Sequence, residues 1–272
     1  MTTCFYDTHA HLDYPDFADD LPLVLERARE AGITRIITIG TDLTSSQRAI
    51  QLAEHYPELY AAVGWHPNDA LTAPDDVRPA LRALATHAKV VAIGEIGLDY
   101  HRLPRVVTGG TAEVDRHNRE KQIILFQQQL EVAAELGLNC VIHQRAALAD
   151  ALAVFAPFAD RVRAVFHCFV DDAAAARRVL DLRSLVSFTG IATFKNAQSV
   201  RNTLAALTLD HFMLETDCPF LAPVPYRGKR CEPAHVRELA LAVARLKGCA
   251  LEELSAATGD TARRFFTKMV SG

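Results

Sequence analysis

Six side chains of types that commonly bind metal ions follow short apolar stretches spread along almost the whole chain. They occur in the motifs DTHAHLD, AIGEIGLDY, CVIHQR, VFHCF and MLETDCP, and they are His9, His11, Glu95, His143, His167 and Asp217. Each apolar stretch has the composition of a buried parallel strand, and each polar residue stands where such a strand would end. The carboxyl ends of parallel strands meet on one face of a barrel, so these side chains are predicted to converge there.

The first motif places two imidazoles close together. Residues two apart in a strand share a face, so His9 and His11 are both predicted to point into the barrel mouth, with Asp7 below them on the same face. A His-x-His motif alone often has no metal-binding role. Its position at the end of the first strand favours a pair of metal ligands.

Three of the other four residues have a structural alternative. Glu95 follows Val-Val-Ala-Ile-Gly, where burial is costly without a cation, although a salt bridge to a core arginine would also stabilise it. His143 and His167 could each be a hydrogen-bonded core histidine. Asp217 is the best candidate for a general base, and Glu215 is either its neighbour behind the ligands or a member of a buried ion pair.

Imidazole and carboxylate ligands without thiolates suit zinc, manganese or iron better than magnesium, although Mg²⁺ stays a candidate beside Zn²⁺ and Mn²⁺. Six ligands exceed what one catalytic ion needs if it is to keep an open position. They fit two divalent metal ions bridged by Glu95, which would activate water for hydrolysis while Asp217 accepts its proton.

Strand and helix patterns alternate along the chain. The candidate strands are FYDTH, RIITIG, YAAVGW, VVAIGE, NCVIH, AVFHCF, LVSFTG and FMLET. Amphipathic helices are predicted before Gly32 and Gly137, and the segment from Pro225 onward is predicted to be a loop followed by closing helices. The 272 residues divided by eight give 34 per unit, enough for one strand and one helix. We therefore predict a TIM (β/α)8 barrel that forms a single domain over residues 1–272.

Composition and charge exclude several classes of protein. The N-terminus has no basic, apolar secretory signal, and no apolar stretch reaches the roughly 18 residues of a membrane span. Six cysteines without a CxxC pair indicate reduced thiols and a cytoplasmic location. A net charge of −4 is not that of a protein that grips long duplexes. No obligate protein partner is evident.

The motifs, taken in order, closely resemble those of the TatD family of metal-dependent deoxyribonucleases. Those that carry the resemblance are DTHAHLD, AAVGWHP, AIGEIGLDY, REKQIILFQQQLEVAAELGL, CVIHQRA, VFHCF, FTGIATFKNA, LETDCPFLAP and PYRGKRCEP, and they cover residues 4–268. The resemblance implies an amidohydrolase-like TIM barrel, a divalent-metal centre, and exonuclease or phosphodiesterase activity on DNA ends or single strands. It assigns one ion to His9, His11, Glu95 and Asp217, and the other to Glu95, His143 and His167.

The chain also departs from the family pattern. Gln144, Ala146 and Ala147 replace a serine and an acid near the fifth strand, and Val170-Asp171 replaces a Thr-Gly. Cys231 and Asp260 stand where asparagines are usual. The segment 101–116 is longer than the family usually has and is predicted to be a loop on the active-site face. These differences bear on substrate preference and leave every predicted ligand in place.

Several basic residues are predicted to lie after strand ends on the same face and to bind substrate, and they are His66, Arg145, Lys195, Arg227, Lys229 and Arg230. Ordinary solvated loop charges are the alternative. Three functions follow from the sequence: a nuclease acting on DNA ends, a hydrolase of a small amide, ester or aminoacyl bond on the same barrel, and a binding protein that has lost catalysis. The complete ligand set favours the first two.

Overall fold

Eight parallel strands form one sheet whose spatial order follows the sequence. The structure, a computed structural model, describes residues 3–270. The strands are β1 (Phe5–Ala10), β2 (Ile33–Ile39), β3 (Leu59–Val63), β4 (Val90–Asp99), β5 (Asn139–Arg145), β6 (Ala164–Phe166), β7 (Leu185–Phe188) and β8 (Phe212–Leu214). Each predicted strand is found, with ends that differ by a few residues. The prediction of a TIM barrel is confirmed.

Helices connect consecutive strands and cover the outside of the sheet. They are α1 (Leu21–Glu30), α2 (Leu43–His55), α3 (Arg78–Ala85), α4 (Pro104–Val107), α5 (Ala112–Leu136), α6 (Leu148–Phe155), α7 (Ala173–Asp181), α8 (Gln198–Ala206), α9 (Val236–Lys247) and α10 (Leu251–Phe265). The closing helices predicted after Pro225 are α9 and α10. Among residues 3–270, no helix has both the length and the apolar composition needed to cross a membrane.

The prediction of a loop over residues 101–116 is wrong in part. Residues 104–107 form α4, and α5 already begins at Ala112. Thr111 caps this helix, because its side chain accepts a hydrogen bond from the backbone N–H of Val114. Acidic residues in the first turn add a favourable interaction with the helix dipole. These capping signals extend the longest helix by one turn into the predicted loop.

The core has an outer and an inner part. Between sheet and helices, an outer cluster includes Ile36, Phe126 and Phe155. Inside the barrel, alternate strand residues such as Ile37 form a smaller cluster with side chains from the end of α10 and the turn after it, notably Phe266. The amino-terminal end of the barrel interior is therefore filled by apolar side chains, and the polar residues collect at the opposite end.

The barrel closes where β1 meets the segment after β8. The backbone N–H of His11 donates to the carbonyl of Cys218 at 2.8 Å, and that of Asp217 donates to the carbonyl of His9 at 2.9 Å. Asp7, buried below, accepts hydrogen bonds from the backbone N–H and the hydroxyl of Thr216 at 2.9 and 2.6 Å. This seam fixes Asp217 beside the two histidines of the first motif.

Two glycines flank Glu95 and allow β4 to lie close to β5. A Cβ added at Gly94 would lie 2.6 Å from the Cβ of Val141, and one at Gly97 would overlap the carbonyl oxygen of His143. Gly97 also has a φ of +134°, which L side chains rarely adopt. The approach of the two strands brings Glu95 within contact of His143.

We expect Gly97→Ala to lower the free energy of unfolding by at least about 3 kcal/mol, because both the backbone conformation and the space exclude a side chain. Gly137→Ala is the matched control, since Gly137 also has a positive φ but a Cβ there would meet nothing within 4 Å. It should cost about 1 kcal/mol. Thermal and urea unfolding of both variants measure the difference, and equal losses would show that strand approach at Gly97 is unimportant.

Candidate metal centre

All six predicted ligands meet at the carboxyl ends of the strands. His9 lies in β1, Glu95 in β4 and His143 in β5, while the other three directly follow or closely follow β1, β6 and β8. Their side chains are buried or nearly so: Glu95 is 3% exposed, and Asp217 is the most exposed of the carboxylates at 16%. The convergence predicted from the motifs is present in the structure.

The carboxylate of Glu95 lies between two pairs of imidazoles. Its Oε2 is 3.4 Å from His9 Nε2 and 3.8 Å from His11 Nε2. Its Oε1 is 2.9 Å from His143 Nδ1 and 2.6 Å from His167 Nε2. Each carboxylate oxygen therefore faces a different pair of histidines.

Asp217 completes the first of these two groups. Its Oδ1 is 3.4 Å from His11 Nε2 and 3.6 Å from His9 Nε2. The residue adopts a φ of +58°, which is uncommon outside glycine and is found disproportionately at functional sites. Its partial exposure leaves it accessible from the cavity above the histidines.

Second carboxylates lie behind two of the imidazoles. Asp99 Oδ2 lies 3.1 Å from His143 Nε2, so the other ring nitrogen of His143 faces Glu95. Glu215 Oε1 lies 3.7 Å from His167 Nδ1 and accepts a 2.6 Å hydrogen bond from the backbone N–H of Cys168. Carboxylates in this position fix the ring orientation of metal-binding histidines and raise their basicity.

The site keeps its carboxylates ionised. Burial by itself would raise the pKa of Glu95, but the neighbouring imidazoles, His167 first among them, hold that pKa well below its usual range. Burial would likewise raise the pKa of Asp217, and its contact with His11 lowers it instead. Both groups therefore carry negative charge at neutral pH, as ligands of a cation must.

The pKa values of the four imidazoles shift in opposite directions. Burial by itself lowers the pKa of His11, His143 and His167, but contacts with carboxylates more than reverse this and raise all three. The pKa of His9 is lowered by burial and by the neighbouring charge of His167. The four rings thus compete for protons in a space where only some can be charged at once.

The donor set fits divalent cations. The Nε2 atoms of His9 and His11 face each other at 3.3 Å, as do Nδ1 of His143 and Nε2 of His167. A hydrogen bond satisfies such a pair only if one ring donates, whereas a cation accepts lone pairs from both. Three groups of His and Glu in the described residues are compact enough to hold an ion: His9–His11–Glu95, His66–Glu95–His143 and His9–His167–Glu215.

A cavity of about 680 Å³ opens above these ligands. Two of the six residues predicted to bind substrate line it, namely His66 and Arg145. His66 Nε2 lies 3.5 Å from Glu95 Oε1, and its Nδ1 accepts a hydrogen bond from the backbone N–H of Asn68. His66 therefore adjoins the ligand cluster more closely than its loop position suggested.

The other four basic residues lie outside the cavity lining. Arg230 donates to Asp20 at 2.7 and 2.8 Å and to Glu232 at 2.8 Å, so its guanidinium joins loop segments to each other. Arg227 stacks on the ring of Phe194 at 3.6 Å. Exposed lysines complete the set, and these are Lys195 and Lys229.

Motif reasoning did not assign several residues that the structure brings to the site. Asp99 stands four residues after Glu95 in one strand, so the two-residue period already placed both on one face. Arg102 lines the cavity, as do Tyr14 and Phe220, whose rings meet edge to face with centroids 6.1 Å apart. Phe220 lines the cavity and is 50% exposed.

Comparison with known proteins gives the family. A family model described as TatD related DNase matches residues 6–267. The chain belongs to the TatD family. It is 37% identical to the uncharacterized metal-dependent hydrolase YabD of Bacillus subtilis, over 96% of this chain and 98% of that protein. It is 31% identical to the 3'-5' ssDNA/RNA exonuclease TatD of Klebsiella pneumoniae, over 98% and 99%.

A solved structure supports the same assignment. The crystal structure of YJJV, a TatD homologue from Escherichia coli, superposes with a TM-score of 0.87 at 28% identity, covering 98% of this chain and 99% of that one. The resemblance inferred from the motifs is confirmed, and the chain is a metal-dependent hydrolase of the TatD family whose histidines and glutamates are able to hold metal ions.

We expect this TatD protein to release divalent ions as the pH falls from about 8 to about 5. The raised pKa values of His11, His143 and His167 mean that protons compete with metal at a higher pH than on a free imidazole. Metal analysis after dialysis at a series of pH values measures the loss, with circular dichroism to confirm that the fold persists. Full metal retention by folded protein at the lowest pH would contradict this.

Proposed function

We propose that this protein is an exonuclease that hydrolyses phosphodiester bonds at the ends of single-stranded DNA or RNA, using a dinuclear metal centre. The observation that carries the proposal is that the two oxygens of the Glu95 carboxylate face different histidines at the floor of an open cavity. The 3'-5' ssDNA/RNA exonuclease named among its relatives supports this substrate class and direction.

The proposed ligands divide between two ions of Zn²⁺, Mn²⁺ or Mg²⁺. His9, His11, Glu95 and Asp217 would hold one ion, and Glu95, His143 and His167 the other. Bound ions of this kind supply an activated water molecule and stabilise charge on phosphate oxygens.

Asp217 is the proposed general base. Its carboxylate is ionised, it contacts His11, and it is exposed enough to meet a water molecule in the cavity. A base in this position would accept the proton that the attacking water loses. His66, whose Nε2 lies 3.5 Å from Glu95 Oε1, would donate a hydrogen bond to a phosphate oxygen.

The cavity offers contacts suited to one strand end. Tyr14 and Phe220 form an aromatic rim on which a base could stack, and stacking is tolerant of sequence. Arg102 and Arg145 supply positive charge for the phosphate chain. Few cationic side chains line the cavity. This number suits a few phosphate contacts at the end of a nucleic-acid strand and is too small for binding along a long duplex.

We also propose that the enzyme works in the cytoplasm, since its cysteine usage is typical of a compartment in which thiols stay reduced. Cell fractionation with detection of the protein tests this location directly.

The assay that tests the function compares substrates side by side. Purified protein with Mn²⁺, Mg²⁺ or Zn²⁺ should shorten labelled single-stranded DNA or RNA stepwise from the 3' end, and should act less on blunt duplexes. Small carboxylic esters and amides are the alternative substrates on the same metal barrel. Rapid hydrolysis of these with no release of nucleotides from any strand would contradict the proposal and favour the alternative.

We expect Asp217→Asn to reduce kcat on single-stranded DNA by more than roughly 10²-fold, because the variant loses the base as well as a charged ligand. Metal content measured on the same samples separates the two effects. Asp160→Asn is the control, since Asp160 is 79% exposed and pairs with its neighbour Arg161. Near-normal turnover in a fully metallated Asp217→Asn variant would assign the base to another residue.

A further inference from the structure

A second large cavity lies at the amino-terminal end of the barrel, opposite the metal centre. Its volume is about 710 Å³, and it opens between the starts of β2 and β3, the turn before β4 and the turn after α10. The charged side chains that line it are four cations and one carboxylate: Arg29, Arg35, Lys89, Lys268 and Glu58. This excess of positive charge contrasts with the net charge of −4 of the chain.

One of the four cations is neutralised within the cavity. Arg29 pairs with Glu58 at 2.5 Å. Within the described part of the chain, Arg35, Lys89 and Lys268 have no carboxylate within ion-pair distance. Three positive charges therefore share one concave surface, and the one carboxylate in the described lining is already paired with Arg29.

Backbone carbonyls hold these three cations in place. Arg35 donates to the carbonyl of the adjacent Thr34 at 2.7 Å, and Lys268 Nζ lies 3.5 Å from the carbonyl of Ala85. Lys89 Nζ donates at 3.1 and 3.0 Å to carbonyls that precede and begin β3. Neutral acceptors restrict the positions of the side chains but leave their charge uncompensated.

The arrangement is electrostatically unfavourable without an anion. Burial, and then the nearby charge of Arg35, lower the pKa of Lys89, and burial lowers the pKa of Lys268. Like charges held close together repel each other, and partly buried cations also lose hydration. A bound dianion would add attractive interactions with all three cations and so offset this repulsion.

The rest of the lining is suited to an organic group. The ring of Tyr60 lies 4.7 Å from Lys89 Nζ, and Ile33 and Pro57 contribute apolar surface beside it. The volume lies in the range typical of sites for small organic molecules and exceeds what an inorganic phosphate fills. Phosphate groups bind to such clusters through charge-assisted hydrogen bonds from arginine and lysine.

We propose that this cavity is a binding site for a small organic phosphate, whose phosphate group contacts Arg35, Lys89 and Lys268 and whose organic part lies against Tyr60. A nucleotide and a sugar phosphate share this chemistry. The site is separate from the metal centre and does not depend on the nuclease proposal.

Isothermal titration calorimetry of the full chain tests the site with four probes: AMP, ribose 5-phosphate, adenosine and inorganic phosphate. We expect AMP, ribose 5-phosphate or both to bind more tightly than inorganic phosphate, and adenosine not to bind. Comparison of the first two distinguishes a nucleotide from a sugar phosphate. Arg35→Met and Lys268→Gln should each weaken binding at least about tenfold, as expected when one charge-assisted contact to phosphate is lost.

Two control variants should leave binding unchanged. Lys247→Gln alters a lysine that is likewise held by backbone carbonyls but lies outside the cavity. Glu95→Gln alters the metal centre, so unchanged binding there separates this site from the catalytic cavity.

Several results would overturn the proposal. One is the absence of binding by every probe, and another is unchanged affinity in Arg35→Met and Lys268→Gln. Equal affinity for inorganic phosphate and the organic phosphates would show that contact of the organic part with Tyr60 contributes nothing to binding. Binding that is lost in Arg264→Gln but kept in Arg35→Met would move the ligand to a different cavity, lined by Arg163, Arg183 and Arg264. Stronger binding of single-stranded DNA than of any small phosphate would contradict the assignment of a small ligand.

Discussion

A single buried carboxylate, Glu95, is the group on which the architecture of the site depends. An ionised carboxylate that is only 3% exposed costs several kcal/mol unless positive charge surrounds it. Four imidazoles from three other strands surround it, two on each oxygen, and the raised pKa values of His11, His143 and His167 favour positive charge on some of them. The same geometry that stabilises the charge also places Glu95 in groups of side chains compact enough to hold a metal ion. Stability of the group and capacity for metal binding therefore have one cause.

The barrel satisfies this constraint through close backbone approach in two places. Between β4 and β5, Gly94 and Gly97 leave no room for side chains, so Glu95 reaches His143. At the seam, backbone hydrogen bonds and the buried pair of Asp7 and Thr216 join β1 to the segment after β8. Apolar side chains fill the interior below. Packing thus determines the positions of the strands, so the side chains at the strand ends can be polar without loss of the core.

The sequence predicted the strands and the convergence of ligands, because buried parallel strands leave apolar stretches and their polar ends stand out. The same two-residue period that joined His9 to His11 also placed Asp99 on the face of Glu95. The role of Arg230 was not predictable, because its partner Asp20 is 210 residues away in the chain. Capping by Thr111 was a local signal, and it explains why α5 begins inside the predicted loop.

The cavity at the opposite end of the barrel shows the limit of motif reasoning most clearly. Arg35, Lys89 and Lys268 belong to three distant segments and to no motif, and only the closed barrel brings them together. Family membership did not indicate them either, because family motifs concentrate at the metal centre. Such a site is recognised only when the positive and negative side chains that line each cavity of the folded chain are compared.

Anomalous X-ray diffraction from crystals grown with Mn²⁺ or Zn²⁺ tests the central claim most directly. The account predicts two anomalous peaks, one on each side of the Glu95 carboxylate. The first should lie among His9, His11 and Asp217, and the second beside His143 and His167. A single peak among His9, His167 and Glu215, the third group compact enough to hold an ion, would contradict the bridging role of Glu95.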